Sequence, residues 1–432
     1  MRELRQNSQF HAKTSACQFS FKIVSWFTMS YTQLLSCSYS HICSGCSYLH
    51  LSQKEVSELR RQTLLDLGIS SPIEVEWIDK GGLRDRLEFT LDTDEVGRQR
   101  LGLYSKTGNG LKREIIDLEG CPQLSSDLEL WLQDFRRDLP PIKRRAGVRL
   151  RVSPSGLRGV WLDAANEDIR DLLDESTWFE RQLQNNIVIE AGQKRKRVAL
   201  RSDSSSNNRR VGLIDPVPEA WYETPNLASG GHPNGPALKV FGSVGTFTQP
   251  GFRAGRKLVE VVQSHLKTLA DPNTHRITEF GCGSGTFTLA LLANGFQVRA
   301  YEFDPLALAA LAQGVQSAGF SGDRFHNRLQ VFRGDFIQSA KAFAGHQLEA
   351  TSLKEVLLVD PPRTGLGAFA GQILLLENYQ CAPWIYISCF PESFAQDLEQ
   401  IRKHGYRLTR LSVVEQFPFT KHFELVATIE ST

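Results

Sequence analysis

From Gly251 onward the chain reads as an α/β protein built on a doubly wound parallel sheet, and three observations predict it. Short apolar strands recur at Arg276–Phe280, Gln297–Glu302, Arg328–Phe332, Glu355–Asp360 and Trp384–Ser388, separated by helical stretches. That alternation is the pattern of parallel strands covered on both faces. A glycine-rich turn, Glu279-Phe-Gly-Cys-Gly-Ser-Gly-Thr286, joins the first of these strands to its helix. Finally, Arg407–Val414 and Phe423–Ile429 are linked by a segment too short for a parallel crossover, so they are expected to pair antiparallel. The expected sheet has seven strands, closed by an antiparallel last one.

A chain of 432 residues exceeds one ordinary core, so further domains are expected. Residues 1–29 hold an apolar stretch, Phe19–Phe27, broken by Lys22, and the only two methionines stand at 1 and 29. We read this part as an upstream extension or a disordered tail, with a weak secretory signal as the alternative. Residues 30–70 read as a Cys-rich segment, of which 30–52 are rich in Ser, Tyr and Cys, followed by a helix from the N-cap Ser52 to about Leu67, stopped by Gly68. Residues 71–201 read as a central β-rich domain of α+β type. Its strands are Ile73–Ile78, Leu87–Leu91, Arg100–Tyr104, Val148–Val152 and Gly159–Leu162, and its helix runs from Ser125 to Phe135. Residues 202–248 read as a linker, and 249–432 as the α/β domain.

Hydrophobic residues at 41% and charged residues at 23% are ordinary for a globular protein. The net charge of +2 hides an uneven distribution, with 15 Lys/Arg against 9 Asp/Glu between Arg136 and Arg201. Such a segment suits a polyanion, and on charge alone a solvated basic face serves equally. No run of 18 apolar residues occurs, so no membrane span and a cytoplasmic location are expected. The eight cysteines then read as metal ligands, catalysts or buried thiols.

Gly281, Gly283 and Thr286 of the glycine-rich turn would let a ligand approach the backbone at a helix start. Glu302 ends the second strand, where a carboxylate can accept from a ribose diol. Asp335 follows the third strand, and Asp360 of Asp360-Pro-Pro-Arg363 ends the fourth. Each alone could cap a helix; together they outline one crevice at the carboxyl ends of successive strands. The carboxylates continue past the ribose and no second phosphate loop appears, which favours S-adenosylmethionine over a dinucleotide. The buried strand Trp384–Ser388 delivers Cys389 to the same edge, ahead of Phe390-Pro391, where helix amides are expected to lower a thiol pKa. Glu424, in Lys421-His-Phe-Glu424, stands on the last strand within reach of that edge.

These motifs resemble the RNA uracil-5 methyltransferase family over nearly everything from Cys37 to Ile429. The family's Phe-Phe-Gln-x-Asn is similar to Phe247-Thr-Gln249-Pro-Gly251, its Ser-Cys-Asn-Pro to Ser388-Cys-Phe-Pro391, and its His-x-Glu to His422-Phe-Glu424. The resemblance implies that Gln249, Glu302, Asp335 and Asp360 line the cofactor and uracil site. It also implies that Cys389 attacks carbon 6 of the base and that Glu424 removes the carbon 5 proton. Phe390 and Gly251 depart from it, each standing where the family has Asn.

Cys37, Cys43 and Cys46, with Cys121 as a fourth ligand, form a thiolate set that suits zinc or an iron–sulfur cluster. The spacing resembles the iron–sulfur branch of the same family, which implies a 4Fe–4S cluster, structural in role, with zinc as the alternative. That branch further implies RNA as partner, large-subunit ribosomal RNA ahead of transfer RNA, with phosphate contacts from Lys194 to Arg197. No membrane and no obligate protein partner are expected. Competing readings are a cytosine-5 methyltransferase, which would show Pro-Cys near its nucleophile, and an amino-group methyltransferase, which would want an aromatic residue where Arg363 stands. A non-catalytic RNA-binding factor is the reading from another class.

Overall fold

Among the described residues of the computed structural model two sheets have eight strands each, and the carboxy-terminal one has one strand more than the sequence pattern predicts. The structure describes residues 35–106, 114–163, 167–193, 196–202, 211–226, 237–320, 327–334, 353–374, 379 and 381–432. The readings made of residues 1–29, Lys194, Arg195 and Asp335 lie outside the described residues.

The amino-terminal helix α1 (Gln53–Asp66) starts at Ser52, whose hydroxyl accepts from the Glu55 amide while the Glu55 side chain accepts from the Ser52 amide. This reciprocal cap satisfies two of the four unpaired donors of a helix start. Gly68, at φ +76°, ends the turn beyond it.

The strand β1 (Ile73–Trp77) follows, and here the expectation fails. It does not join the central sheet but pairs parallel with a strand more than 300 residues away, Ile73 against Leu411. Periodicity identifies a strand without naming its partner.

The central sheet runs in the order β4 (Ile115–Asp117), β3 (Gln99–Tyr104), β2 (Arg86–Thr93), β5 (Arg145–Val152), β6 (Arg158–Asp163), β7 (Val188–Gln193), β8 (Lys196–Ser202) and β9 (Val211–Ile214). All its pairings are antiparallel except β6 with β7. Helix α2 (Ser126–Arg137) lays Leu128, Trp131, Leu132 and Phe135 on this sheet, capped by the Ser125 hydroxyl. Two short helices, α3 (Ile169–Glu175) and α4 (Trp178–Gln184), complete the cover.

The stretch read as a linker is largely structured. Beyond β9 it contains an antiparallel hairpin, β10 (Glu219–Pro225) with β11 (Ala237–Gly242), which buries Trp221, Tyr222, Leu238 and Val240. Glycine and proline between two strands had masked a hairpin with its own core.

The catalytic-type domain opens with α5 (Phe252–Leu269), followed by β12 (His275–Phe280), α6 (Thr286–Ala293), β13 (Gln297–Glu302), α7 (Pro305–Ser317), β14 (Leu329–Arg333), β15 (Lys354–Val359), α8 (Ala368–Leu374), β16 (Trp384–Ser388), α9 (Pro391–Lys403), β17 (Tyr406–Glu415) and β18 (Glu424–Ser431). The strand order is β1-β17-β18-β16-β15-β12-β13-β14. The short last connection makes β17 and β18 antiparallel, as its length predicts, and β18 inserts between β17 and β16. One face is covered by a core that includes Phe369, Phe394 and Leu64, the other by Val259, Leu289 and Leu311. Burying such apolar side chains at about 25 cal/mol per Å² is the main stabilising term.

Candidate active site

Strand register brings the two principal side chains together. Ser388 at the end of β16 is paired with Leu425 near the start of β18, antiparallel. The residues just beyond that pair are Cys389 on one strand and Glu424 on the other. Glu424 is buried, at 5% exposure, and Cys389 is half-buried. Asp360 follows β15, the neighbour of β16 on its other side, and Arg363 lies three residues on.

The electrostatics of this corner are dominated by burial. The Cys389 thiol is pushed up to about 11 by burial, then by the carboxylates of Glu424 and Asp360; the charge and hydrogen bond of Arg363 oppose this. The expectation of a lowered thiol is therefore corrected: desolvation and two acids raise it. Burial, reinforced by Asp360 and opposed by Arg363, holds Glu424 well above the usual carboxylate range. Asp360 is raised to about 7 by burial. Asp360 thus disfavours the ionisation of Glu424, and both acids disfavour that of Cys389.

At the other end of the crevice, Gly281, Gly283 and Gly285 all have positive φ, at 79°, 55° and 93°. Thr286 opens α6 without any side-chain cap on Gly285, leaving first-turn amides open toward a ligand. Glu302 accepts from the amides of Gly283 (2.9 Å), Phe303 (2.7 Å) and Asp304 (2.8 Å), so it stiffens the loop as well as offering lone pairs. Glu279 beneath the loop takes a 2.6 Å bond from Thr288 on one oxygen, while its other oxygen and the Ser284 hydroxyl are buried without partners. Burial raises the Glu279 carboxyl to about 8. Positive φ, an open helix start and orphaned polar groups together fit a polar cofactor with a cationic end, such as the methionyl part of S-adenosylmethionine.

Gln249 is buried in a segment gripped from the central sheet. Arg86 donates to the carbonyls of Thr248 and Gln249, Arg151 to the Ser243 carbonyl and the Thr248 hydroxyl, and Arg149 to the Gly245 carbonyl. Glu190 in turn accepts from the amides of Val244 and Gly245. None of these roles was readable from the sequence, because each pairs residues far apart in the chain. Ion pairing also tempers the basic-segment reading. Arg136, Arg145, Arg149 and Arg158 pair with Asp117, Asp92, Glu88 and Asp134, and Arg197 pairs with Asp304.

Both departures from the family pattern fall at helix N-caps. Gly251 precedes α5, and a Cβ there would collide with the Leu83 carbonyl and the Asp85 side chain. Asp85 supplies the cap instead, accepting from the Phe252 amide at 2.6 Å. Phe390 precedes α9 with no side-chain cap; the Ser388 hydroxyl bonds to its amide and carbonyl, and the Ser393 hydroxyl also donates to that carbonyl.

Cys37, Cys43, Cys46 and Cys121 are gathered at the edge of the central sheet. Cys43 bridges to Ser105, and burial, offset in part by the Arg84 charge, raises the Cys46 and Cys121 thiols, Cys121 to about 12. Both also feel Cys37. Cys37 and Cys121 line a cavity of about 410 Å³ with Glu119 and Glu129. Among the described residues, no three His, Cys, Asp or Glu side chains form a group that could hold a metal ion.

Comparison with known proteins agrees with this geometry. Residues 240–431 match the family model described as tRNA (uracil-5-)-methyltransferase. The chain is similar to an uncharacterized RNA methyltransferase of Bdellovibrio bacteriovorus, 32% identical over 91% of this chain and 95% of that one. It is also similar to a 23S rRNA (uracil(1939)-C(5))-methyltransferase of Halomonas elongata, 26% identical over 91% of this chain and 76% of the relative. In fold it resembles a Pyrococcus abyssi tRNA (uracil-54, C5)-methyltransferase solved with S-adenosyl-L-homocysteine, at TM-score 0.58 and 17% identity, over 90% of this chain and 86% of that one. Among the described residues no helix is long and apolar enough to cross a membrane. The chain belongs to the RNA uracil-5 methyltransferase family and is an S-adenosylmethionine-dependent enzyme of that family.

Proposed function

We propose that this protein methylates carbon 5 of a uridine in large-subunit ribosomal RNA through a covalent adduct to Cys389. The observation that carries the chemistry is the β16–β18 register, which sets Cys389 beside Glu424. Bound S-adenosylmethionine supplies an electrophilic methyl group, which Gly281, Gly283, Thr286, Glu302, Asp360 and Gln249, with Asp335, would hold. Carbon 5 of uracil is a poor nucleophile until a thiolate adds at carbon 6, forming a C–S bond and pushing the ring electrons toward oxygen 4. Carbon 5 then takes the methyl group, Glu424 accepts the carbon 5 proton, and the returning electrons expel the Cys389 thiolate. Carboxyls held at raised pKa, as Glu424 and Asp360 are, are stronger bases than free ones.

The target base must leave its stack to reach Cys389. Phe247, Phe303 and Phe390, exposed at 69%, 59% and 37%, stand within two residues of Gln249, Glu302 and Cys389 and offer faces for unstacked bases. The ribosomal substrate is supported by the Halomonas elongata relative, and transfer RNA is the alternative.

The four clustered cysteines would hold a 4Fe–4S cluster. The reading is supported by the resemblance of the cysteine spacing and by four thiols close enough for Cys46 and Cys121 to feel one another and Cys37. Purified enzyme is expected to methylate protein-free 23S RNA fragments at a uridine. Efficient methylation of unmodified transfer RNA with the ribosomal fragments untouched would overturn the ribosomal assignment and leave the chemistry standing.

A further inference from the structure

The connection Gln416–Phe423, which leads from β17 into Glu424, has bonds of its own through Thr420 and is also held by residues of the cysteine-bearing corner. The Tyr48 amide, two residues past Cys46, donates to the Phe419 carbonyl at 2.9 Å. Arg60 donates to the Thr420 carbonyl at 2.8 Å and to Glu415 at 2.6 Å, and its guanidinium lies 4.7 Å from the Phe423 ring centre. Arg84 covers the Phe417 ring at 5.1 Å, and its charge acts on both Cys46 and Cys121.

One side chain touches both partners directly. Gln123, two residues after Cys121 and 3% exposed, donates from the same Nε2 to the Pro418 carbonyl at 2.9 Å and to Cys46 Sγ at 3.6 Å. Its Oε1 is buried with no partner. Nothing on the oxygen side fixes the amide, so its orientation is set by two acceptors on the nitrogen side. A protonated thiol accepts weakly, whereas a metal-bound thiolate accepts a charge-assisted bond. With the amide turned over, Oε1 would face a carbonyl and a thiolate, both acceptors.

We propose that Gln123 is a positioning residue that couples the cysteine quartet to the Gln416–Phe423 connection, so that filling the quartet locks the approach to Glu424. This rests on the reading that the quartet holds a cluster and that Glu424 is the base. Filling the quartet fixes Cys46 Sγ as an anionic acceptor. Gln123 then holds the Pro418 carbonyl, and Glu424 enters β18 from an anchored turn.

The test compares the anaerobically purified full chain with Gln123→Met, which keeps length and volume and loses both donors. The variant is expected to retain iron and sulfide. Its cluster midpoint potential should shift negative, because a hydrogen bond to cluster sulfur favours the reduced form. The Phe417, Phe419 and Thr420 amides should exchange with deuterium at least tenfold faster. The kcat should fall while the KM for S-adenosylmethionine stays constant, with RNA–protein adduct accumulating. In the unmutated protein, chelating the iron should accelerate exchange at the same three amides, and this measurement decides the matter if Gln123→Met fails to fold. Unaltered exchange in the iron-free protein, or an unaltered potential in the variant, overturns the coupling while the cluster stands. An unmutated protein without iron and sulfide overturns the cluster reading and the coupling with it.

Discussion

Sulfur occupies two contrasting settings in this molecule. Cys389 stands alone among acids, with Glu424 and Asp360 raising its thiol pKa and only Arg363 opposing them. Cys46 and Cys121 stand among other thiols, with Arg84 as the nearby positive charge. In the first setting the resting thiol is protonated, and on the covalent mechanism proposed above its proton passes to a base as the substrate adds. In the second, deprotonating several buried thiols together would be costly without a cation to neutralise them. On the proposed function, one corner would trade protons and the other would keep a charged core.

The largest effect should come from the solitary thiol. Cys389→Ser is expected to lower turnover roughly 10⁴-fold or more while S-adenosylmethionine still binds by calorimetry. Glu424→Gln should instead accumulate a covalent RNA adduct, seen as a slower band on a denaturing gel. Equal adduct in both variants would erase the division of labour between nucleophile and base.

Next in size, Cys46→Ser or Cys121→Ser should bleach the anaerobically purified protein, strip its iron and lower its Tm. A colourless unmutated protein with one bound zinc would break the contrast from the other side.

A smaller effect is expected from Arg363, whose charge and hydrogen bond lower the Cys389 pKa. With the thiol near 11, the thiolate fraction grows about tenfold per pH unit below that value, so adduct formation should rise with pH across the neutral range. Arg363→Leu removes the opposing charge and should displace that profile to higher pH, with a rate loss of roughly tenfold at pH 7. An unmoved profile would mean that Arg363 does not reach the thiol in solution.

The smallest effect concerns the uncapped start of α9. Phe390→Asn should add a cap and stabilise the protein by about 1 kcal/mol while shifting the pH profile less than Arg363→Leu. Thermal melting alongside the rate profile separates the two.

Much of the catalytic sheet was legible because each strand carries its signal locally. Strands β12 to β18 fall within two residues of their expected bounds. What sequence reading missed depends on distant partners. Ile73–Trp77 looks like any half-buried strand, and only Leu411 decides its sheet. At the site, motifs named Cys389, Glu424 and Asp360, which strand register and order bring to one sheet edge with the roles proposed above. They did not supply Asp85 as the surrogate cap of α5, Gln123 as a bridge, or the raised thiol pKa, since each arises from what folding packs nearby.

The pairing of β1 with β17 also bears on the order of synthesis. Ile73 leaves the ribosome long before Leu411 exists to receive it, and Arg60 likewise precedes Glu415, its buried partner at 2.6 Å. Until β17 arrives, the growing chain carries an unpaired strand and a guanidinium without its acid, a state prone to wrong associations. A fragment cut at the start of the family match, residue 240, would inherit the converse defect: a bare β17 edge and Glu415 stripped of Arg60, a change expected to cost about 3–5 kcal/mol at a buried pair. The domain that carries the chemistry is thus not a detachable module, and its last strands finish an assembly begun by the first hundred residues.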